Sequence, residues 1–292
     1  MGPIFGAIQG ALFGSAAFIW IVLGTIFIGG VHDFFSGFMS LRDDGFTMPD
    51  IVSKYLGIRI EKFVAVLMIV TGVLVSATFA KGAADLFSNL THIPVIICIS
   101  VIFIYFLVAT VFPVDKIIGK AYPVFGALLL IMAVVMTGGV ILNPAYTIPE
   151  FTTQGLYLTE KSIPYLFVTI ACGAISGFHA SQSPIVARCM ENENDARPVF
   201  YGAMFLEGLV ALCWAAIAMA FFHGQPQLAA LYSAAPAVAV NEMAIALVGP
   251  VGLVLTIIGV IICPITSGDT ALRSARITIA DELKINSEKI TS

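Results

Sequence analysis

The charged residues of this chain are gathered into short clusters, and the long uncharged runs between them constrain the fold more than any other feature. There are seven such runs, at 2–31, 63–80, 93–114, 121–149, 162–187, 208–222 and 243–268. A helix needs about 18–20 apolar residues to cross a bilayer, and every run except the sixth reaches that length. Adding 198–206 completes the sixth and places Glu207 inside the membrane. We therefore predict an all-α membrane protein with about seven transmembrane helices, at about 11–39, 61–84, 94–113, 122–142, 163–189, 198–222 and 246–268. We also predict a short amphipathic helix on the cytoplasmic surface at 48–56 and an outside loop at 223–241.

The overall composition excludes a soluble domain. Only 11% of the residues are charged and 59% are hydrophobic, whereas soluble domains carry about 25% charged residues. We expect one polytopic domain over 1–292, with 269–292 as a cytoplasmic helical extension and tail. The sequence contains no P-loop, zinc-protease, nucleophile-elbow or haem-attachment motif, so we expect no enzyme, no cofactor and no nucleic-acid partner. The five cysteines form no C-x-x-C pair and are expected to be buried spectator thiols.

The positions of lysine and arginine predict the orientation of the chain. Twelve of the 14 lie in alternate loops on one side, and only Lys81 and Lys161 lie on the other. Because cytoplasmic loops are enriched in positive charge, we predict an outside N-terminus and a cytoplasmic C-terminus. The expected location is the inner membrane, with lipid as the surrounding partner. The chain opens abruptly in apolar sequence, which suggests a fragment.

The fifth predicted span contains an unusual concentration of polar residues at 171–184. Two glycines, one histidine, three serines, one glutamine and one proline occur within these fourteen residues. An interrupted helix would suit them, because unpaired backbone and helix-end dipoles can bind a ligand. The predicted substrate-binding residues here are Gly173, Ser176, Gly177, His179, Ser181 and Gln182. The alternative is a glycine-rich packing face whose hydroxyls bond to the preceding turn.

Two further features are candidates for ion coupling. Pro264 lacks a backbone donor, so we predict a second interruption at 264–270, where Thr266 and Ser267 offer oxygens to Na⁺. The alternative is a proline kink satisfied by a neighbouring hydroxyl. Glu207 stands without a basic residue in the sixth span, and we predict that it carries a proton or bonds between helices. Apart from Na⁺, no metal is expected.

Four charged or titratable residues near the span ends are candidates for gating. His32 and Asp33 follow a pair of glycines at 29–30, and a helix cap is the alternative role. Asp269 and Arg273 are four residues apart, and a local ion pair is the alternative there.

Several stretches also carry a family resemblance, at 2–6, 18–24, 30–34, 122–126, 172–179, 201–204, 264–270 and 273–276. In these residues and in their order the chain resembles the carbon starvation protein A family. Members of that family are inner-membrane proteins linked to uptake of peptides and pyruvate under carbon limitation. They are grouped with amino acid–polyamine–organocation transporters, which resemble the LeuT fold.

The resemblance implies a LeuT-like inverted-repeat transporter with the fifth and seventh spans interrupted and with helices at both ends absent. It adds Gly2 and Gly6 to the substrate site, as part of a broken first helix, and likens Thr266–Ser267 to a sodium site. The implied function is import of peptides or a small carboxylate such as pyruvate, by alternating access coupled to H⁺ or Na⁺. The resemblance does not decide whether the chain forms a homo-oligomer. The alternatives are a non-transporting sensor or structural subunit, and a redox protein with His32 and His179 as haem ligands.

Overall fold

The computed structural model describes residues 12–111, 122–151, 167, 170–171, 175–224 and 236–283, and all regular structure in them is helical. The helices are α1 (Ala16–Arg42), α2 (Met48–Leu56), α3 (Ile58–Thr91), α4 (Val95–Val111), α5 (Tyr122–Leu142), α6 (His179–Ala187), α7 (197–221), α8 (Pro236–Val248) and α9 (250–282). Helices α1, α7 and α9 contain π-helical segments at Gly24–Gly29, Arg197–Gly202 and Thr256–Ile261. The predicted all-α class is confirmed for this part of the chain.

Four of the described helices are long and apolar enough to cross a membrane. They are Ala16–Arg42, Ile58–Thr91, Pro123–Leu142 and Glu193–Phe221, and the shorter apolar helices are Val95–Ala109 and Val238–Val248. The outward faces of α3, α4 and α5 are apolar, and Phe63, Ile96, Val134 and Ile141 are each about 70% exposed. Such a large apolar surface fits contact with lipid. The chain is therefore a membrane protein, while the count of seven spans and the LeuT-like arrangement stay predictions.

The seventh predicted span, 246–268, differs from the structure at its start. A helix, α8, occupies part of the segment predicted as an outside loop at 223–241 and ends at Val248. Gly249 then takes φ of +69°, and α9 begins at Pro250. Glycine adopts this left-handed conformation without a Cβ clash, and proline fits the first turn of a helix. The apolar run alone did not reveal this helix break.

The predicted interruption of the seventh span at Pro264 is wrong. Residues 262–282 form an unbroken α-helix, and the irregular part of α9 is the π-helical Thr256–Ile261 immediately before it. Proline cannot donate a hydrogen bond to the preceding turn and crowds its carbonyl. The wider turn N-terminal to Pro264 accommodates both effects, so the helix continues without unwinding.

Small residues let α9 pack closely along α3. A Cβ atom on Gly72 would lie 3.0 Å from the carbonyl oxygen of Ala271, and the Ser76 hydroxyl donates to the carbonyl of Gly268 at 2.7 Å. Ala271, Ser274, Ala275 and Thr278 are buried. The segment predicted as a cytoplasmic extension from 269 is therefore continuous with α9 and packed on one face against the bundle, over the residues described.

Arg188, immediately after α6, joins the α1–α2 hairpin to the end of α9. Its Nε–H donates to the carbonyl of Gly45 at 2.7 Å, and its guanidinium lies 3.5 Å from Asp281 Oδ2. Gly45 has φ of +83°, and a Cβ atom there would meet the Arg188 side chain at 2.7 Å. These three residues border an open cavity of about 760 Å³. The arginine thus ties together three elements that are distant in sequence.

Candidate functional site

The fifth predicted span is broken where the polar residues concentrate. Ile170 and Ala171 are helical, residues 175–178 are not, and α6 begins at His179. Ser176 in this break is buried and has φ of +49°. A non-glycine residue in the left-handed region is strained and is held there by its surroundings. The predicted interruption of the fifth span is therefore present.

The backbone around this break is largely paired within the chain, contrary to the expectation of free groups for a ligand. The N–H groups of Ile175 and Gly177 donate to the carbonyls of Ile170 and Ala171, at 3.1 and 2.7 Å. The N–H of His179 donates to the Ser176 carbonyl at 2.8 Å. Because these donors are used, the polar character of the site comes mainly from side chains.

His179 lies between two carboxylates contributed by different helices. Its Nδ1 atom is 2.8 Å from Oδ2 of Asp33 on α1, and its Nε2 atom is 3.7 Å from Oε2 of Glu207 on α7. The Asp33 side chain is 6% exposed, and those of His179 and Glu207 are each 25% exposed. Burial of charge is costly unless it is paired, so the histidine and the two acids form one electrostatic unit.

Two more side chains extend this unit at its ends. His32 Nδ1 lies 3.0 Å from Oδ1 of Asp33, and the Ser176 hydroxyl donates to Oε1 of Glu207. Each member uses a different atom for each neighbour, so the contacts form a continuous chain. We call His32, Asp33, His179, Glu207 and Ser176 the polar chain. It unites residues that the sequence assigned separately to gating, substrate binding and ion coupling.

Two cavities meet at the polar chain. One, of about 360 Å³, is lined by Glu207 and Ser267 together with apolar residues such as Leu130. The other, of about 350 Å³, is lined by His32 and Asp33 and by largely apolar residues of the same region. We call them the Glu207 cavity and the Asp33 cavity. Among the described residues, Ser176 and His179 alone line both cavities, so these two side chains lie between them.

Ser181 and Gln182 are placed away from both cavities. The Gln182 amide donates to the carbonyl of Thr270 at 3.2 Å, and the Ser274 hydroxyl donates to the Ser181 carbonyl at 3.3 Å. The Ser181 hydroxyl donates to the carbonyl of Phe178 at 2.9 Å. Gln182 is buried, so its main structural contribution is to hold α6 against α9. Gly177, by contrast, lines the Asp33 cavity.

The proposed sodium-site hydroxyls are only partly available. Thr266 donates to the carbonyl of Cys263 at 2.9 Å within its own helix. Ser267 lines the Glu207 cavity, as does Cys263. Cys263 was expected to be a spectator thiol; its position four residues before Ser267, and hence on the same helical face, was the signal for it. The structure places one hydroxyl and one thiol of α9 beside Glu207.

Asp269 and Arg273 form the local pair that their spacing predicts. Arg273 Nη2 lies 3.3 Å from Asp269 Oδ2 within α9. The Asp269 side chain is only 4% exposed, so the pair is packed inside the bundle. The gating role of these two residues stays a prediction. The remaining predicted site residues, Gly2, Gly6 and Gly173, lie outside the described residues.

A broken helix with buried titratable groups at its end, inside a bundle of apolar helices, is a feature of membrane transporters. The chain belongs to the carbon starvation protein CstA family, whose sequence model matches residues 1–102 and 84–257. The predicted family membership is thus confirmed.

Three relatives illustrate the range of the family. An uncharacterized membrane protein of Haemophilus influenzae is 38% identical over 76% of this chain and 74% of the relative. The pyruvate/proton symporter BtsT of Escherichia coli is 27% identical over 73% of this chain and 38% of its own length. The peptide transporter CstA of Campylobacter jejuni is 25% identical over 72% and 40%.

The chain spans about two fifths of the length of the last two relatives. The relatives that carry functional names are transporters, which confirms the expectation that the chain is not an enzyme.

Proposed function

We propose that this chain forms part of the core of a secondary transporter that moves peptides or a small carboxylate such as pyruvate by alternating access. The observation that carries the proposal is the polar chain, which lies at a helix break between two cavities. Cavities of about 350 Å³ are within the range of small-molecule sites. The proposed location is the inner membrane, with the N-terminus outside.

The coupling ion we propose is H⁺. Four of the five side chains in the polar chain, all except Ser176, can gain or lose a proton at their contacts. Sodium binding at Thr266 and Ser267 has less support, because α9 is unbroken there and Thr266 donates to its own helix. Carbonyl groups inside a regular helix are already hydrogen bonded and are poor cation ligands.

The two other candidate functions have weaker support. A haem site between His32 and His179 has less support, because the Nε2 atom of His179 faces the Glu207 carboxylate at 3.7 Å. A sensor without flux has no specific observation in its favour and is an outcome of the transport experiment.

The test is uptake by the purified chain in proteoliposomes, with labelled pyruvate and labelled alanyl-alanine as separate probes under an imposed proton gradient. We expect accumulation of at least one probe, and its loss in His179→Ala. The matched control is His223→Ala, because His223 stacks on Tyr146 away from the polar chain. Folded protein that takes up neither probe would favour the sensor, and uptake unaffected by His179→Ala would refute the placement of the site.

A further inference from the structure

We infer that His179 relays protons between the Glu207 cavity and the Asp33 cavity through its two ring nitrogens. The biological role of this relay rests on the proposed function, whereas the contacts of His179 that define it are independent of that function. Nδ1 faces Asp33 in one cavity, and Nε2 faces Glu207 in the other. Because Ser176 and His179 are the residues that line both cavities in the described part of the chain, a proton that passes from one to the other at this point meets the imidazole.

The transfer balances with the groups present. Glu207, when protonated, gives its proton to Nε2 of His179, and Nδ1 releases its own proton to the Asp33 carboxylate. The products are a Glu207 carboxylate, the other neutral tautomer of His179 and a protonated Asp33. An imidazole can do this because one nitrogen accepts while the other donates. Rotation of the ring, or transfer in the opposite direction, restores the first tautomer.

The link between His179 and Glu207 is the switch in the relay. The distance of 2.8 Å to Asp33 is that of a formed hydrogen bond, whereas 3.7 Å to Glu207 is not. Proton transfer requires about 2.6–3.2 Å between the heavy atoms, or one bridging water. Glu207 is held by the Ser176 hydroxyl through its other oxygen. A small movement of Glu207 toward Nε2 of His179 would therefore allow proton transfer. In this conformation the hydrogen bond to Ser176 keeps Glu207 too far away for transfer.

The charged and titratable groups around His179 come from three helices. Asp33 and His32 face it from α1, Glu207 faces it from α7, and Cys263 of α9 lines the Glu207 cavity. No lysine or arginine lines either cavity among the described residues. The carboxyl groups of Asp33 and Glu207 are therefore not balanced by a lysine or arginine in the described lining, which favours entry of a proton.

The experiment separates proton movement from substrate movement. The chain is reconstituted with a pH-sensitive dye inside the vesicles, and an inward concentration gradient of pyruvate or alanyl-alanine is imposed. Exchange of the same labelled compound at equal concentrations on both sides is measured in parallel. We expect His179→Gln to lower the coupled proton flux per molecule exchanged about 100-fold or more. His223→Gln should match the unmodified chain in both measurements.

The outcomes of this experiment are distinct. If His179→Gln exchanges the compound and still carries the coupled proton flux, the relay is refuted. If the unmodified chain neither exchanges nor accumulates either compound, the proposed function fails, and the relay is judged by infrared spectroscopy alone.

The infrared measurement follows the carbonyl stretch of protonated carboxyl groups in the purified chain during a pH titration. Glu207→Gln and Asp33→Asn assign the two bands. We expect His179→Gln to move the titration midpoint of both bands, because the imidazole couples the two acids. Midpoints that stay unchanged would overturn the relay, whatever the transport result. Ser176→Ala should move the Glu207 band alone.

Discussion

The hydroxyl of Ser40 lies 2.9 Å from the carbonyl oxygen of Pro184, which joins the last turns of α1 to α6. The same hydroxyl lies 2.7 Å from the carbonyl of Phe46 in the α1–α2 hairpin, and Ser40 is fully buried. One small side chain therefore lies within hydrogen-bond distance of carbonyl groups on two other elements, and its single proton is shared between them.

Replacing Ser40 with alanine should destabilise the protein. The change leaves the Pro184 carbonyl without its buried donor, and an unsatisfied buried group costs about 1–3 kcal/mol. Thermal unfolding in detergent measures the effect. Ser100→Ala is the control, because Ser100 bonds to its own helix on an exposed face and its loss should change stability by no more than about 0.5 kcal/mol. Equal melting temperatures for the two variants would contradict the role of Ser40.

Gly37→Ala should also destabilise the protein, through overpacking. A Cβ atom at Gly37 would overlap the ring of Phe200, which is buried between α1 and α7. Forcing an extra methyl group into a packed interface costs about 1–3 kcal/mol. At Gly138 of α5 a Cβ atom would meet nothing within 4 Å, so Gly138→Ala should be neutral or slightly stabilising. A loss of stability at Gly138 as large as that at Gly37 would show that packing is not the cause.

Cys263 should react with thiol reagents more readily than Cys98. The first lines the Glu207 cavity, whereas the second is buried and 6% exposed. Labelling with N-ethylmaleimide is followed by mass spectrometry in variants that retain a single cysteine. We also expect pyruvate or alanyl-alanine, whichever is transported, to slow the labelling of Cys263. Equal rates at the two cysteines would argue that the cavity is closed to small molecules.

Asp281 should make stability depend on pH. Burial raises the pKa of its carboxyl group above 3.8, Arg188 opposes this, and Asp50 adds to it. Asp281 lies near the end of α9, beyond the predicted seventh span. Because the folded state then binds the proton more tightly than the unfolded state, this carboxyl lowers stability as the pH rises from 3.8 through its folded pKa.

The variant Asp281→Asn cannot titrate, so its melting temperature should fall less than that of the unmodified chain over the same pH window. The measurement is thermal unfolding in a series of buffers from pH 4 to 8 at constant ionic strength. Parallel profiles for the two proteins would contradict the assignment.

The sequence predicted the bounds of a helix well where glycine, proline or charged residues directly flank it. Met48–Leu56 and Tyr122–Leu142 match their predicted bounds, since glycine, proline or charge flanks each. Helix α3 extends past the predicted end at 84 to Thr91, because its last turns are polar but remain helical up to His92, which has φ of +58°. Hydropathy identifies the part of a helix inside lipid and not the turns beyond it.

The polar chain shows what sequence reasoning could not supply. Asp33, His179 and Glu207 were each identified as unusual, because a titratable group in an apolar run is costly. Their contact joins residues 146 positions apart, and the packing of α1, α6 and α7 decides it. Because these residues are far apart in the sequence, they were assigned to gating, substrate binding and ion coupling separately. In the folded chain they contact one another and form one site.

Helix α6 has only nine residues, or about 13 Å of rise, with the imidazole of His179 at one end and the guanidinium of Arg188 immediately past the other. Because both side chains belong to one short helix, a tilt of α6 that moves the ring away from Asp33 would also displace Arg188 from Gly45 and Asp281. Rearrangement at the polar chain would therefore change the packing of the α1–α2 hairpin against the end of α9.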